Sequence, residues 1–148
     1  PICRGAVVAS LAATLACAGT SSSVTAPTPA ATAAATGRWS GTAADNTGSG
    51  LMEWQITQHD SSVTGTATVT ETATGVVGRG SLVGTFDGRQ LTFTITVPAG
   101  GFDPPYSTCR VTVSGSATIE LLLITATYTG TNSCSGEVTS GQLTLNRL

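Results

Sequence analysis

The stretch from Cys109 to Cys134 constrains the fold more than any other part of this chain. After Cys109, two valines alternate with hydroxyl residues, and a second run of alternating apolar residues and threonines leads back to Cys134. Because a period of two is typical of a strand with one buried face, this stretch predicts a β-hairpin. With the turn near residues 119–122, the two cysteines lie opposite each other, where a disulfide is geometrically possible.

Cysteine usage agrees with an exported protein. Cys3 and Cys17 belong to an N-terminal leader, which leaves Cys109 and Cys134 as one pair in the folded part. An oxidising compartment would make that pair a disulfide, and two free buried thiols are the alternative. We expect no metal site, because the chain has no CxxC motif and His59 is its only histidine. We also expect no cofactor, since no cofactor-binding motif is present.

Alternating runs elsewhere in the sequence bring the number of expected strands to eight. Signals for tight turns, such as Asp87-Gly88, separate the runs and predict hairpin connections. We expect the strands to form one domain over residues 37–148. The expected strands are residues 38–43, 50–58, 62–70, 80–86 and 90–97, the two strands of the hairpin, and residues 137–145.

A glycine flanked by Ser, Thr or Val recurs inside these strands. The recurring positions are Gly41, Gly65, Gly84, Gly115 and Gly130. Glycine weakens a strand unless a bend or the close approach of another backbone requires it, and such kinks are typical of small, strongly coiled barrels. The sequence therefore predicts an all-β fold, an eight-stranded antiparallel up-and-down β-barrel, with a two-sheet β-sandwich as the alternative.

The charge composition excludes two classes of partner. The 148 residues include six arginines, no lysine and eight acidic residues, which gives a net charge of −2. This composition provides no basic patch for nucleic acid and no polybasic segment for an anionic membrane surface. We expect the domain to be a monomer.

Residues 1–17 are typical of a signal peptide. Arg4 precedes an apolar run at residues 6–16, which has the length of a signal h-region and is too short to span a bilayer. A buried helix is the alternative interpretation of this run. We expect the translated start to lie before Pro1, and we expect residues 18–36, rich in Ala, Thr, Ser and Pro, to form a flexible linker.

The end of the apolar run, Thr14-Leu15-Ala16-Cys17, resembles the bacterial lipobox, with Leu one position later than is usual. The resemblance implies that Cys17 carries a lipid and anchors the protein in the cell envelope. It implies the outer membrane in a diderm, because Ala18 follows the cysteine. Plain cleavage by signal peptidase is the alternative. The layout as a whole resembles small Gly/Thr-rich bacterial lipoproteins.

The first expected strand opens with Gly37-Arg38-Trp39, which resembles the GxW motif of lipocalins and related calycin barrels. In those families the Trp closes one end of the barrel, and an Arg from a late strand packs on it. The resemblance therefore implies that Trp39 and Arg147 meet as a cation–π pair.

One short segment, His59-Asp60-Ser61, combines the residue types of a catalytic triad. Consecutive residues of a tight turn point in different directions, whereas a triad depends on convergent geometry. We therefore expect a polar turn here, no catalytic residues and no enzymatic activity.

The longest loop, residues 98–108, carries aromatic residues between prolines. Such a loop at a barrel mouth suits a lid or a contact surface, and a plug over the open end is the alternative.

Two functions are compatible with these patterns. The first is an envelope module, tethered by its lipid, that binds another protein or a glycan through its loops. The alternative is a calycin-like barrel that holds a small hydrophobic ligand. Its candidate contacts are Trp54, Phe93 and Tyr128 in the interior, with Phe102 and Tyr106 on the long loop. A filled interior would exclude ligand binding, and a cavity of a few hundred cubic ångströms would support it.

Overall fold

The computed structural model describes residues 34–148, which form a closed barrel of eight antiparallel strands. Each strand pairs with the next, and the last pairs with the first. The expected up-and-down barrel is confirmed, and the two-sheet alternative is excluded because the sheet closes on itself. The expected signal peptide, Cys17 and the linker up to residue 33 lie outside the described residues. The strands are β1 (Gly37–Asp45), β2 (Gly48–His59), β3 (Ser62–Glu71), β4 (Val77–Phe86), β5 (Gln90–Val97), β6 (Val111–Ile119), β7 (Leu123–Asn132) and β8 (Gly136–Arg147).

Several strands extend further than the alternation in the sequence indicates. β5 has the expected bounds, whereas β4 begins at Val77, three residues earlier than expected. The added residues have partners in the loop between β5 and β6. Gly78 forms a bridge with Phe102, and the Arg79 N–H donates to the Gly101 carbonyl at 2.8 Å. The long loop therefore supplies backbone hydrogen bonds to the start of β4.

The recurrent glycines lie where neighbouring strands approach each other closely. A Cβ added at Gly41 would overlap the carbonyl oxygen of Thr144, and one added at Gly65 would overlap that of Gln55. A clash with a neighbouring strand's carbonyl oxygen also arises at Gly84, Gly115 and Gly130. The expected reason for the repeat is confirmed, because a residue with a Cβ would push these strands apart.

A bulge in β8 resets the alternation of inward and outward side chains. Thr139 and Ser140 are both exposed, Ser140 has a φ of 55°, and the register against β7 shifts between Tyr128 and Gly130. The bulge turns Gly141 inward, against the Tyr128 ring, where an added Cβ would overlap ring atoms. An aromatic ring that covers a glycine of the paired strand stabilises such an irregular sheet.

The predicted hairpin is formed by β6 and β7, which pair along their length. Its turn lies at residues 120–122, where the Glu120 N–H donates to the Leu123 carbonyl at 2.8 Å. The predicted disulfide between Cys109 and Cys134 is present, with 5.6 Å between the two Cα atoms. It joins the loop before β6 to the turn after β7, at the end of the hairpin opposite its own turn.

The core is the barrel interior, and it is apolar. Among residues 34–148 no polar or charged residue is buried. The outer face carries Thr and Ser, as at Thr94 and Ser114, whose hydroxyl oxygens lie 2.8 Å apart. The largest fully buried side chains are Trp39, Trp54, Phe93, Ile56, Leu82 and Leu91.

Candidate ligand cavity

The barrel has two ends that differ in how they are filled. We call one the closed end: it carries the β2–β3, β4–β5 and β6–β7 turns, the start of β1 and the end of β8. We call the other the open end: it carries the β1–β2, β3–β4, β5–β6 and β7–β8 connections. The interior cavity of the barrel lies at the open end.

Trp39 and Arg147 occupy the closed end and are cross-strand partners. Trp39 is fully buried, and its Nε1 donates to the Ala35 carbonyl at 3.0 Å. The Arg147 guanidinium carbon lies 4.6 Å from the centroid of the Trp39 ring, within the range of a cation–π contact. Arg147 Nη2 also donates to the carbonyls of Ala34 and Thr36, at 2.6 and 2.9 Å. These contacts fix the residues before β1 and cover this end of the interior.

A cavity of about 420 Å³ occupies the interior at the open end. This volume falls within the roughly 300–1,000 Å³ typical of small-molecule sites. Exposed residues such as Thr47 and Ser135 also line the cavity, so it reaches the surface. Its apolar walls include Met52, Val69, Phe93, Ile95, Val113 and Leu143.

The room for this cavity comes from small residues on the inner faces of β1 and β2. Near the closed end these strands present Trp39 and Trp54, which are both buried. Towards the open end the lining residues of the same strands include the small residues Ala43 on β1 and Gly48 and Gly50 on β2. The bulky rings of these two strands therefore lie near the closed end, and their inward positions towards the open end include small residues.

Four of the five aromatic residues expected to contact a ligand line the cavity: Phe93, Tyr128, Phe102 and Tyr106. The fifth, Trp54, is not a lining residue. It is buried and packs edge-on against Phe93, with 5.0 Å between the ring centroids. Within the described part of the chain its Nε1 has no hydrogen-bond partner. Trp54 therefore supports the cavity wall from behind, through Phe93.

The loop between β5 and β6 lies at the mouth of the cavity. The Phe102 ring covers Gly78, where an added Cβ would overlap it, and the Gly100 N–H donates to the Ser107 carbonyl at 2.6 Å. The disulfide ties the end of the loop to the β7–β8 turn. Phe102 is half-buried and Tyr106 is 43% exposed. Both aromatic rings form part of the cavity wall, and the space behind them is not filled by protein.

Two carboxylates also line the cavity, and Asp45 on β1 is the first. Its Oδ2 accepts a hydrogen bond from the Tyr128 hydroxyl at 2.9 Å. Its Oδ1 accepts from the N–H and the hydroxyl of Thr47, at 2.7 and 2.6 Å. Burial of Tyr128, followed by the charge of Asp45 and this hydrogen bond, raises the pKa of the phenol well above its ordinary 10.0. The phenol therefore keeps its proton at neutral pH and donates a hydrogen bond to Asp45.

Glu71, at the end of β3, is the second carboxylate. It accepts hydrogen bonds from the Thr74 hydroxyl, from the Ala73 N–H at 3.1 Å and from the Thr74 N–H at 2.7 Å. These bonds, with the Thr74 hydroxyl first, hold the pKa of Glu71 below its ordinary 4.5. The side chain is therefore charged at neutral pH, and it orders the β3–β4 turn.

Sequence reasoning missed both carboxylates. It ended the first strand at residue 43 and the third at residue 70, so it placed Asp45 and Glu71 in turns or on outward positions. The structure continues both strands. Asp45 and Glu71 then follow the odd-numbered inward positions of β1 and β3. The signal that would have found them is an acidic residue that extends the inward alternation of a strand beyond its last apolar residue.

The segment His59-Asp60-Ser61 lies at the β2–β3 turn. This turn is at the closed end of the barrel, and the cavity mouth is at the other end. His59 Nδ1 lies 3.2 Å from Asp60 Oδ2, and the two side chains are 91% and 90% exposed. Ser61 contributes its carbonyl, which accepts from the Phe86 N–H at 2.8 Å. These residues act here as a hairpin turn.

Within residues 34–148 no group of three His, Cys, Asp or Glu side chains is placed to hold a metal ion. The same part of the chain contains no helix with the length and hydropathy needed to cross a membrane. No protein-family model, no curated protein and no solved structure matches this chain.

Proposed function

We propose that this protein binds a small hydrophobic molecule inside its β-barrel. The observation that carries the proposal is the apolar cavity of about 420 Å³ at the open end. Small-molecule sites are typically concave, mostly apolar and supplied with a few polar groups that orient the ligand. Moving an apolar molecule from water into such a site is favourable by about 25 cal/mol for each Å² of apolar surface buried.

The architecture around the cavity supports a pocket that exists before the ligand arrives. In the described part of the chain, Trp39 and Arg147 cover the closed end, so we expect a ligand to enter from the open end. The disulfide and the contact of Phe102 with Gly78 hold the loop at the mouth. A pocket held in this way loses little conformational entropy on binding, which favours affinity.

We also propose that the protein is exported and acts in the cell envelope. The disulfide supports this, because such bonds persist in oxidising compartments. The lipobox-like sequence supports a lipid on Cys17. Metabolic labelling with a fatty acid tests the anchor: we expect label on the wild type and none on Cys17→Ala. Equal labelling of the two proteins would exclude a lipid on Cys17, and so would the absence of label from the wild type.

The proposed role is binding without catalysis. The carboxylates of the cavity, Asp45 and Glu71, are hydrogen-bonded to the turns that follow them. The residue types of a triad lie at the other end of the barrel, exposed in a turn. Both observations support structural and recognition roles for these groups.

A second candidate function is contact with another envelope component through the closed end. Leu121, Leu122 and Leu148 are 66%, 63% and 70% exposed there. The Arg147 N–H donates to the Leu122 carbonyl at 3.1 Å, which brings the end of the chain to the β6–β7 turn. Exposed apolar side chains that lie together favour protein contact.

Titration of the full oxidised chain with the neutral fluorescent probe N-phenyl-1-naphthylamine tests the proposed ligand binding. We expect a saturable rise in fluorescence. Val138→Phe adds a ring to the cavity wall and should weaken the probe's binding roughly tenfold or more by removing space. Val83→Phe is the matched control, because Val83 points outward and is 52% exposed.

Val113→Phe, on another wall of the cavity, provides a second filling variant in case Val138→Phe folds poorly. Circular dichroism of each variant establishes that the barrel is intact. The proposal fails if the wild type shows no saturable binding. It also fails if folded cavity-filling variants bind the probe as tightly as Val83→Phe does.

A further inference from the structure

We infer that the cavity selects hydrophobic molecules that carry a positive charge, such as alkyl or aryl amines. The apolar body would lie in the interior, and the ammonium group would lie at the mouth between Asp45 and Glu71. This inference rests on the proposed function, because it specifies the chemical class of the ligand for the same cavity.

The charges at the cavity have one sign. Among residues 34–148, the charged residues of its lining are Asp45 and Glu71, with no arginine and no histidine. Of the arginines at the open end, Arg79 is paired with Asp103 at 2.9 Å. Arg110 is exposed and stands outside the lining. An anionic head group would therefore meet like charges at the mouth, and a cationic head group would meet opposite charges.

The two carboxylates flank a notch that has glycines at its base. Asp45 is paired with Gly48, and Glu71 is paired with Gly50, so a single strand, β2, separates them. Since neighbouring strands lie about 4.8 Å apart, the two backbones are roughly 10 Å apart. A Cβ at Gly48 would lie 3.6 Å from Glu71 Oε1, so this carboxylate reaches over β2 towards Asp45. The missing side chains of β2 leave space for a head group between them.

With respect to residues 34–148, each carboxylate also keeps an unused acceptor site. Asp45 Oδ2 accepts one hydrogen bond, from Tyr128, whereas Oδ1 accepts two from Thr47. Glu71 Oε1 accepts one, from Ala73, whereas Oε2 accepts two from Thr74. A carboxylate oxygen has two lone pairs, so Oδ2 and Oε1 can each take one more donor. An ammonium group has three donors and no acceptor, which matches this arrangement.

The test compares three ligands with the same alkyl chain and different head groups: decylamine, decanol and decanoate. At neutral pH they are cationic, neutral and anionic. Each displaces N-phenyl-1-naphthylamine from the full oxidised chain, and the half-displacement concentrations are compared. We expect decylamine to act at a concentration roughly tenfold or more below that of decanoate, with decanol between them.

Charge-removing variants then locate the selectivity. Glu71→Gln keeps an acceptor for the β3–β4 turn and removes one charge, so we expect it to reduce the preference for decylamine over decanol. Asp45→Asn is the second variant at the mouth. Glu137→Gln is the matched control, because Glu137 is an exposed carboxylate of β8 at the same end and does not line the cavity.

The outcomes separate the two proposals. If the probe does not bind, or if none of the three ligands displaces it, the proposed function itself fails. If decanoate or decanol competes as well as decylamine, the cavity binds ligands but does not select cations. The same conclusion follows if Glu71→Gln and Asp45→Asn both retain the full preference.

Discussion

The same eight strands form both ends of this barrel, but side chains fill the interior at one end and leave a cavity at the other. At the closed end, Trp39 is fully buried under Arg147 and is tied to the residues before β1. At the open end, Ala43 on β1 and Gly48 and Gly50 on β2 line a cavity, and about 420 Å³ stays free of protein. The diameter of a β-barrel grows with the number of its strands. The interior of an eight-stranded barrel is therefore only just wide enough for its own side chains. Space inside this barrel therefore depends on the size of the inward residues at each end, and we expect the filled end to contribute more to stability.

The largest expected effect comes from emptying the closed end. Trp39→Ala removes a fully buried ring, the hydrogen bond to Ala35 and the surface on which Arg147 stacks. We expect a loss of about 3–5 kcal/mol in the free energy of unfolding, measured by urea denaturation. Phe102→Ala at the open end is the comparison variant, and its loss should be clearly smaller because Phe102 is half-buried. Equal losses would show that the two ends contribute equally to stability.

The next effect concerns the covalent link at the open end. The disulfide closes a segment with a sequence separation of 25 residues. Replacing Cys109 and Cys134 together by Ser should lower the free energy of unfolding by about 3 kcal/mol, chiefly by freeing the unfolded chain. The same variant should bind N-phenyl-1-naphthylamine more weakly, because the loop at the mouth loses one attachment. Unchanged binding would show that the other contacts of the loop suffice to hold the pocket.

The sequence predicted the features that depend on residues close together in the chain. Alternation along each strand, turn signals and the interior glycines led to eight sequential strands and a closed barrel, which the structure has. The hairpin placed Cys109 opposite Cys134, because register follows from the turn and the period of two. Residues at the strand ends were harder to assign, since pairing there depends on distant partners, as between Gly78 and Phe102.

The cavity could not be predicted in the same way. Whether an interior is filled depends on the summed volumes of side chains from all strands, and Trp54 illustrates the difficulty. The sequence indicated that Trp54 faces inward, and it does, but it packs against Phe93 and does not line the cavity. Asp45 and Glu71 were missed because polar residues at strand ends are common in turns, and their position at the mouth depends on strand length.

We expect the glycines inside the strands to be needed for stability at both ends of the barrel. An added Cβ would overlap the carbonyl oxygen of Gln55 at Gly65, near the closed end, and that of Thr112 at Gly130, near the open end. We expect each Gly→Ala substitution to cost about 1–3 kcal/mol of stability, because backbone atoms cannot move aside freely. Thr66→Ala, at an exposed position beside Gly65, is the control and should be close to neutral. A tolerated Gly130→Ala would mean that the open end is more deformable than the closed end.

A smaller effect is expected from the Tyr128 hydroxyl at the mouth. Tyr128→Phe removes a hydrogen bond to the Asp45 carboxylate and should cost about 1–2 kcal/mol at neutral pH. The folded state raises the pKa of Tyr128, so its stabilising contribution is complete below about pH 10 and declines as the pH rises further. Urea denaturation across this range should show a steeper loss of stability in the wild type than in Tyr128→Phe. Parallel pH profiles would show that burial and Asp45 do not raise the pKa of this phenol in the folded protein.

The smallest effect compares two carboxylates, Glu71 and Asp87, that order turns at opposite ends of the barrel. At the closed end, Asp87 Oδ1 accepts from the N–H groups of Gln90 and Arg89, at 2.7 and 2.9 Å. These bonds, with Gln90 first, lower the pKa of Asp87 from its ordinary 3.8, as those from Thr74 lower the pKa of Glu71 from 4.5. Each contribution to stability is therefore present above the ordinary pKa and is lost as the pH falls below it.

Carboxyl chemical shifts measured by NMR over an acid titration would report both pKa values in one experiment. We expect each to lie below its ordinary value in the free protein. Saturating decylamine should lower the pKa of Glu71 further, because an adjacent ammonium group favours the charged carboxylate. Asp87 should not respond, since the whole barrel separates it from the mouth. A shift at neither residue, or an equal shift at both, would place the head group away from the open-end carboxylates and would leave the shape of the cavity as the source of selectivity.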